Sequence, residues 1–270
     1  MAITTMDGLT AALASGQRLV LQKASITAAA PNYYTLWTAG GGPPAGGAVG
    51  NTTAGVIPTD ATTGSPVINA FTGANTGYLL TFDASSSVAG VLSVYDRLWH
   101  AGAFVTTTLQ TFTLTGQPAL VRVPNSDYSA LELWLEVTAV FAATATTVSI
   151  SYQDGNNTTQ TATHTADLAS LTGVPVNRMI PMRLANSTGI QKVNSITIGG
   201  ATNTTGQINV VIQRNIIDHT VVAVNIGRPK KGPFETGMPI VYADSCLAMM
   251  WNATTTSTGT IFAEAVIGNG

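Results

Sequence analysis

Charge is what this sequence has least of. Only 9% of its 270 residues are Asp, Glu, Lys or Arg, against about a quarter in ordinary soluble domains. Eleven basic and thirteen acidic residues leave a net charge of -2, which excludes an overall positive field for gripping nucleic acid or an anionic membrane. Cysteine is almost absent. The single Cys246 cannot close an intrachain disulfide, so stability must come from packing or association. The three histidines, His100, His164 and His219, lack the short spacing of a metal motif such as His-Glu-x-x-His, and nothing points to a cofactor. No apolar run approaches the roughly 18 residues of a spanning helix. The opening residues have no basic flank and an interrupted apolar stretch, which argues against a secretory signal.

What is there instead is threonine, glycine, alanine and small polar residues, with a mean hydropathy of +0.26. Such a surface is covered by Thr, Asn, Ser and small apolar groups, or by neighbouring copies and partners. That composition suits a built structure better than a charged, freely diffusing enzyme. The length allows one large β domain or two modest ones.

The N-terminus carries the best short helix. Asp7 is positioned to cap it, Leu9 and Leu13 share an i,i+4 face, and Gly16 is placed to end it. Tyr33, Tyr34 and Trp37 then precede a Gly/Pro/Ala-rich tract in which regular ladders are not expected. This segment reads either as a flexible linker or as an extended arm anchored on a neighbouring subunit by its aromatics. The expected division is residues 1–75 as helix and arm, and 76–270 as an antiparallel β domain.

From about Tyr78 onward the dominant period is two. Leu131, Leu133, Leu135 and Val137 alternate with Glu132, Trp134, Glu136 and Thr138, and Val148, Ile150 and Tyr152 repeat the pattern. Similar alternations occur at Ile208, Val210 and Ile212, at Val222, Val224 and Ile226, and at Phe262, Glu264 and Val266. Thr-rich runs at 105–108 and 145–148 favour extended backbone, and Asp154-Gly155-Asn156-Asn157 reads as a hairpin turn. Residues 164–192 are less regular and read as a long connection with a helical turn. No strand-then-helix rhythm supports a Rossmann or barrel enzyme. The fold class expected is mainly β, an antiparallel β-sandwich or jelly roll with a short N-terminal helix and an extended arm.

The densest chemical cluster is Tyr95-Asp96-Arg97-Leu98-Trp99-His100. Asp96 near His100 invites a general-base reading. The simpler one is a polar and aromatic junction in which Asp96 or Arg97 secures a turn or subunit contact and Trp99 packs. Asp218-His219 reads as a strand-edge pair, and Cys246, Leu247, Met249, Met250 and Trp251 as core or interface packing. The most concentrated positive feature is Arg228-Pro229-Lys230-Lys231. Without stacked aromatics or a glycine-rich phosphate cradle it argues against direct nucleic-acid binding and suits an acidic protein patch or a solvated loop.

Several segments resemble a family of structural proteins of tailed bacteriophages: MDGLTAALASG at residues 6–16, the Gly/Pro/Ala-rich arm, VYDRLWHAGAF at 94–104, VNSITIGG at 193–200 and GMPIVYADSCLAMMW at 237–251. The resemblance implies a virion component, one that decorates and cements the capsid by bridging major capsid subunits. Its partners would be the major capsid protein and other copies of itself, on the capsid surface after assembly in the host cytoplasm, with no membrane involved. It carries over no catalytic residue, so no enzyme activity is expected. Tyr33, Tyr34 and Trp37 are then the expected arm anchors, Asp96, Arg97 and Trp99 the junction residues, and Arg228, Lys230 and Lys231 the contacts to an acidic capsid surface. The alternatives are a tail or baseplate component, a glycan- or receptor-binding β module, and a cell-wall hydrolase, which would need acidic or histidine side chains converging in a cleft.

Overall fold

A computed structural model describes residues 3–71, 76–164, 171–227 and 229–269. In chain order its elements are α1 (Met6–Ser15), β1 (Gln17–Lys23), β2 (Tyr33–Thr35), β3 (Gly41–Gly42), β4 (Thr76–Ser86), β5 (Gly90–Val105) and β6 (Gln110–Thr113). There follow β7 (Leu131–Ala139), β8 (Thr146–Gln153), β9 (Thr159–His164), β10 (Arg178–Arg183), β11 (Lys192–Gly200) and β12 (Gln207–Ala223). The chain ends with β13 (Ile226–Gly227), α2 (Pro233–Thr236), β14 (Ile240–Tyr242), β15 (Leu247–Ala253) and β16 (Ile261–Asn269). The protein is thus mainly β with a short N-terminal helix, and its strands pair antiparallel as in a β-sandwich or jelly roll.

The chain forms two compact units. The first contains Met1–Gly47, Thr59–Asp96 and Ile216–Gly270; the second contains Ala48–Pro58 and Arg97–Asn215. These units cut across the division expected at residue 75. The glycine-rich tract is split: Gly41 and Gly42 pair with β1, while Asn51 and Val56 bond to Gly102 and His100 on β5.

In the first unit, five strands form a sheet in the order β14-β4-β16-β1-β3, while β15 pairs with β5 on one side and β2 on the other. Leu19, Leu21, Phe82, Ala84, Ile261, Ala263, Ala265 and Ile267 pack with Leu92, Val94, Met249 and Trp251 in one core. The alternation expected in β16 is real but has the opposite parity. Phe262 is exposed and Glu264 and Val266 half-buried, because small alanines at 263 and 265 form the face that lies against the core.

Helix α1 docks on this unit through Leu9 and Ala12, which pack with Leu80. Its cap is Thr5, whose Oγ1 accepts from the Gly8 amide at 3.0 Å; Asp7 lies in the first turn instead. Leu13 is exposed. Gly16 does end the helix, in extended rather than left-handed backbone. A Cβ there would press on Val266 Cγ1 and the Ala12 carbonyl, so close approach explains the glycine.

In the second unit, β12-β7-β10-β9-β8-β11-β6 follow one another by pairing. Leu131, Leu133, Leu135, Val137, Val148, Ile150, Tyr152, Ile208, Val210 and Ile212 enter one core, as their period-two spacing predicts. The Asp154 turn joins β8 to β9. The stretch 164–192 contains β10, a strand too short and too interrupted by Pro181 to announce itself, and residues 165–170 lie outside the described ones. Thr106–Thr108 form bends rather than strand: Thr106 turns its amide to the Gly206 carbonyl.

Candidate functional site

The Asp-Arg-Leu-Trp-His segment lies on β5 and is buried throughout. Asp96, in the first unit, accepts from Ser245 Oγ at 2.7 Å and from the Cys246 amide at 3.0 Å. Ser245 Oγ in turn accepts from the Tyr242 amide, so this carboxylate ties down the turn that launches β15.

Arg97 begins a second network, in the second unit. Its guanidinium donates from Nη1 to Glu136 Oε1 at 3.1 Å and from Nη2 to Glu136 Oε2 at 2.8 Å, and from Nε to His100 Nδ1 at 2.8 Å. Asn209 adds a bond from Nδ2 to Glu136 Oε2 at 2.9 Å, and its Oδ1 accepts from the amide of Ala103, a residue held at φ 66. Arg122 Nη2 donates to the carbonyls of Arg97 and Pro58. This fork-to-fork geometry fixes direction as well as charge.

The side chains of this network are committed to one another. Burial, followed by the Arg97 charge and opposed by Glu136, pushes the His100 pKa down to about 3. The imidazole is therefore neutral at physiological pH, with Nδ1 committed as acceptor and the proton on Nε2. Trp99 donates from Nε1 to the Ala54 carbonyl at 3.2 Å, and Gly55, at φ 66, lies against the indole so closely that any Cβ would collide with it. Val56 and His100 exchange both backbone hydrogen bonds. Among the described residues, no group of three or more His, Cys, Asp or Glu is arranged to hold a metal.

The aromatics expected to anchor an arm on a neighbour lie on the first unit itself. Tyr34 and Trp37 are buried and Tyr33 half-buried, with Tyr34 opposite Trp251 and Tyr33 opposite Asn252 in the β2–β15 ladder. Trp37 donates from Nε1 to the Gly47 carbonyl, while Gly46 and Gly64 press against its ring. Lys23, also buried, donates from Nζ to the carbonyls of Ala39, Pro43 and Pro44 at 3.1, 2.9 and 3.2 Å. Its burial lowers its pKa to about 8. The tract is thus fastened at 37–47, and sequence reasoning missed the signal: Lys23 occupies the inward position of the Leu19, Leu21, Lys23 alternation.

In the basic loop, Arg228 lies outside the described residues. Lys230 approaches Glu264 Oε1 at 3.4 Å, and Lys231 donates to the Asp218 carbonyl at 2.7 Å. Glu264 is shared with Arg18, whose hydrogen bond is the main cause of its lowered pKa. His219 is buried with its ring edge-on to Phe82, centroids 5.7 Å apart, and Nε2 4.0 Å from Asp83 Oδ1.

Near the same stretch of chain, Val222, Val224, Ile226 and Phe234 are 54, 59, 58 and 78% exposed. The alternation at 222–226 spans the β12–β13 turn rather than one strand, and so it marks a surface instead of a core face.

Two clefts remain. One of about 440 Å³ in the first unit is lined by residues 15–17, 69–71, Ile267 and Asn269. The other, about 190 Å³ in the second unit, is lined by residues 117–120, Tyr128, Gln191 and Lys192.

No family model and no curated protein matches this sequence. Among solved structures, it aligns with the VP2 subviral particle of infectious bursal disease virus at 10% identity and a TM-score of 0.19, over 96% of this chain and 82% of that one. It aligns with the structure of the Gx strain of the same virus at 10% identity and 0.20, over 93% and 81%. TM-scores this small do not mark a shared fold, and no role follows from either alignment.

Proposed function

We propose that this chain is a structural component of a bacteriophage virion that decorates the capsid and stabilises it by bridging major capsid subunits. The observation that carries this reading is where its few charges have gone. Lys23, Asp96, Arg97, Arg122, Glu136, Asp154 and Arg214 are buried, although such side chains are almost never fully buried unless paired. A chain already poor in charge thus spends much of it internally, leaving a surface of Thr, Asn, Ser and Ala with exposed Val222, Val224, Ile226 and Phe234. Exposed apolar side chains close together in sequence are candidates for a protein contact. The Asp-Arg-Leu-Trp-His segment serves rigidity: Asp96 ties down Ser245 and Cys246 in the first unit, while Arg97, His100 and Glu136 hold one another in the second, so the segment that most resembles phage structural proteins braces each unit from within. On this reading the contact surface centres on residues 222–234, with Lys230 and Lys231 facing an acidic capsid patch. Many weak contacts repeated across a shell then resist opening together.

The test is co-sedimentation of the purified chain with undecorated phage heads, followed by electron cryomicroscopy of the particles. Saturable binding at subunit junctions, with the heads opening at a higher temperature, is the expected result. Failure to bind the heads, or binding that never saturates and shows no ordered density at subunit junctions, would overturn it.

A further inference from the structure

The 190 Å³ cleft of the second unit has the ingredients of a small-ligand site that the capsid role does not use. Its apolar lining comes from Pro118, Ala119 and Leu120, and Tyr128 adds an aromatic side chain. Pro118 and Ala119 are exposed, and Gln117, Leu120 and Tyr128 half-buried, so solute can reach it. The polar groups are few. Gln117 and Gln191 supply amides, and Lys192, exposed at the start of β11, supplies the cation.

The turn that carries the aromatic is held in place before any ligand arrives. Tyr128 opens a 3-10 turn capped by Asp127, whose Oδ1 accepts from the amide and hydroxyl of Ser129 at 3.0 and 2.6 Å. Gly189, at φ 75, lets its chain lie directly against the Tyr128 carbonyl, and Gly155 packs beside Tyr128 Cβ. Gln117 is fixed as well: its Nε2 donates to the Val193 carbonyl, which leaves Oε1 as an acceptor. Rigid elements that present one ring and a few amides lose little entropy on binding.

We infer that this cleft binds a single acidic sugar residue, its ring face on Tyr128, its hydroxyls on Gln117 and Gln191, and its carboxylate on Lys192. Size, chemistry and charge each bear on that choice. The volume is below the roughly 300–1,000 Å³ of drug-sized sites, which suits one ring. Sugar rings offer an apolar C–H face to an aromatic and hydroxyls to amides, which both donate and accept. Lys192 is the charged group of the lining, and it favours an anionic sugar over a neutral one.

The probes are sodium D-glucuronate and D-glucose, titrated separately into the isotope-labelled full-length protein and followed by amide chemical shifts. Glucuronate is expected to move the amides of Gln117, Ala119, Tyr128, Gln191 and Lys192, and glucose to bind several-fold more weakly. Tyr128→Ala should weaken glucuronate binding about tenfold, and Lys192→Gln should erase the preference for glucuronate over glucose. If Tyr128→Ala disturbs shifts across the second unit, Gln191→Ala gives the same test of weakened binding without touching the turn. Absence of shifts at these amides, or shifts that persist unchanged in the cleft variants, overturns the site. Equal binding of the two sugars overturns its acidic specificity.

Discussion

Arg97 and Glu136 form a two-pronged ion pair, 2.8 and 3.1 Å long, between side chains that are 0 and 2% exposed. Burying two charges is costly, and the pair is tolerated because His100, Asn209 and the guanidinium fill one another's remaining hydrogen-bonding positions. Removing one partner strands the other. Glu136→Leu and Arg97→Met should each lower stability by about 3–5 kcal/mol, and the double variant should lose less than the sum of the two. Urea unfolding of the four proteins checks this: additive losses would show that the two side chains do not act as a unit.

His100 gives the network a pH signature. Its imidazole titrates near 6.5 when free and near 3 in the fold, so the unfolded chain takes up the proton first. The associated stability is fully present above pH 6.5 and falls as pH drops towards 3, by up to about 1.4 kcal/mol per pH unit. His100→Gln keeps an acceptor for Arg97 Nε but cannot titrate, and its urea midpoint should change less across that window. Parallel curves for the two proteins would remove His100 as the source.

Much of this architecture is legible in the sequence where alternation and size agree. Leu131 to Val137 and Val148 to Tyr152 mark their inward faces because the buried residues are also the larger apolar ones. In β16 the two cues conflict: Phe262 points outward while Ala263 and Ala265 lie inward, so hydrophobicity selects the wrong face. The Arg97–Glu136 pair joins residues 39 positions apart through strand pairings that a single sequence does not reveal. The fastening of 37–47 is hidden for another reason: a lysine in an inward register looks like the end of a strand until three carbonyls are seen around it.

Gly102 tests the packing above the network. A Cβ at this position would collide with Asn209 Oδ1 and the Val49 carbonyl, both in the second unit, so Gly102→Ala must displace either the amide that supports Glu136 or the backbone beside it. A loss of about 1–3 kcal/mol is expected. Gly50→Ala is the control, since nothing lies within 4 Å of its Cβ position, and it should stay within about 0.5 kcal/mol. Similar urea midpoints for the two variants would contradict the account.

The exposed apolar positions predict the opposite separation, with binding lost and stability kept. Val224→Ser with Ile226→Ser removes apolar surface that is already in water, so the urea midpoint should move by no more than about 0.5 kcal/mol. Attachment to phage heads should weaken at least tenfold if this turn is a contact. Unchanged attachment would place the contact elsewhere on the chain.

Lys23 carries the last prediction, because its ammonium is what keeps the glycine- and proline-rich tract on the first unit. Three carbonyls, from Ala39, Pro43 and Pro44, converge on Nζ, and a hydrogen bond to a charged group contributes about 1.5–3 kcal/mol. Lys23→Met preserves the stem and its packing but deprives all three carbonyls of their donor. The Gly46 amide, bonded to the Trp37 carbonyl, and the Ala24 amide, bonded to that of Gly40, should then exchange hydrogen markedly faster. Amides of β1 in its ladder with β16 are held by other bonds and should keep their protection. Exchange that accelerates equally in both places would mean that Lys23 supports the whole unit, and unchanged exchange at Gly46 and Ala24 would mean that the tract is held by Trp37 and its glycines alone.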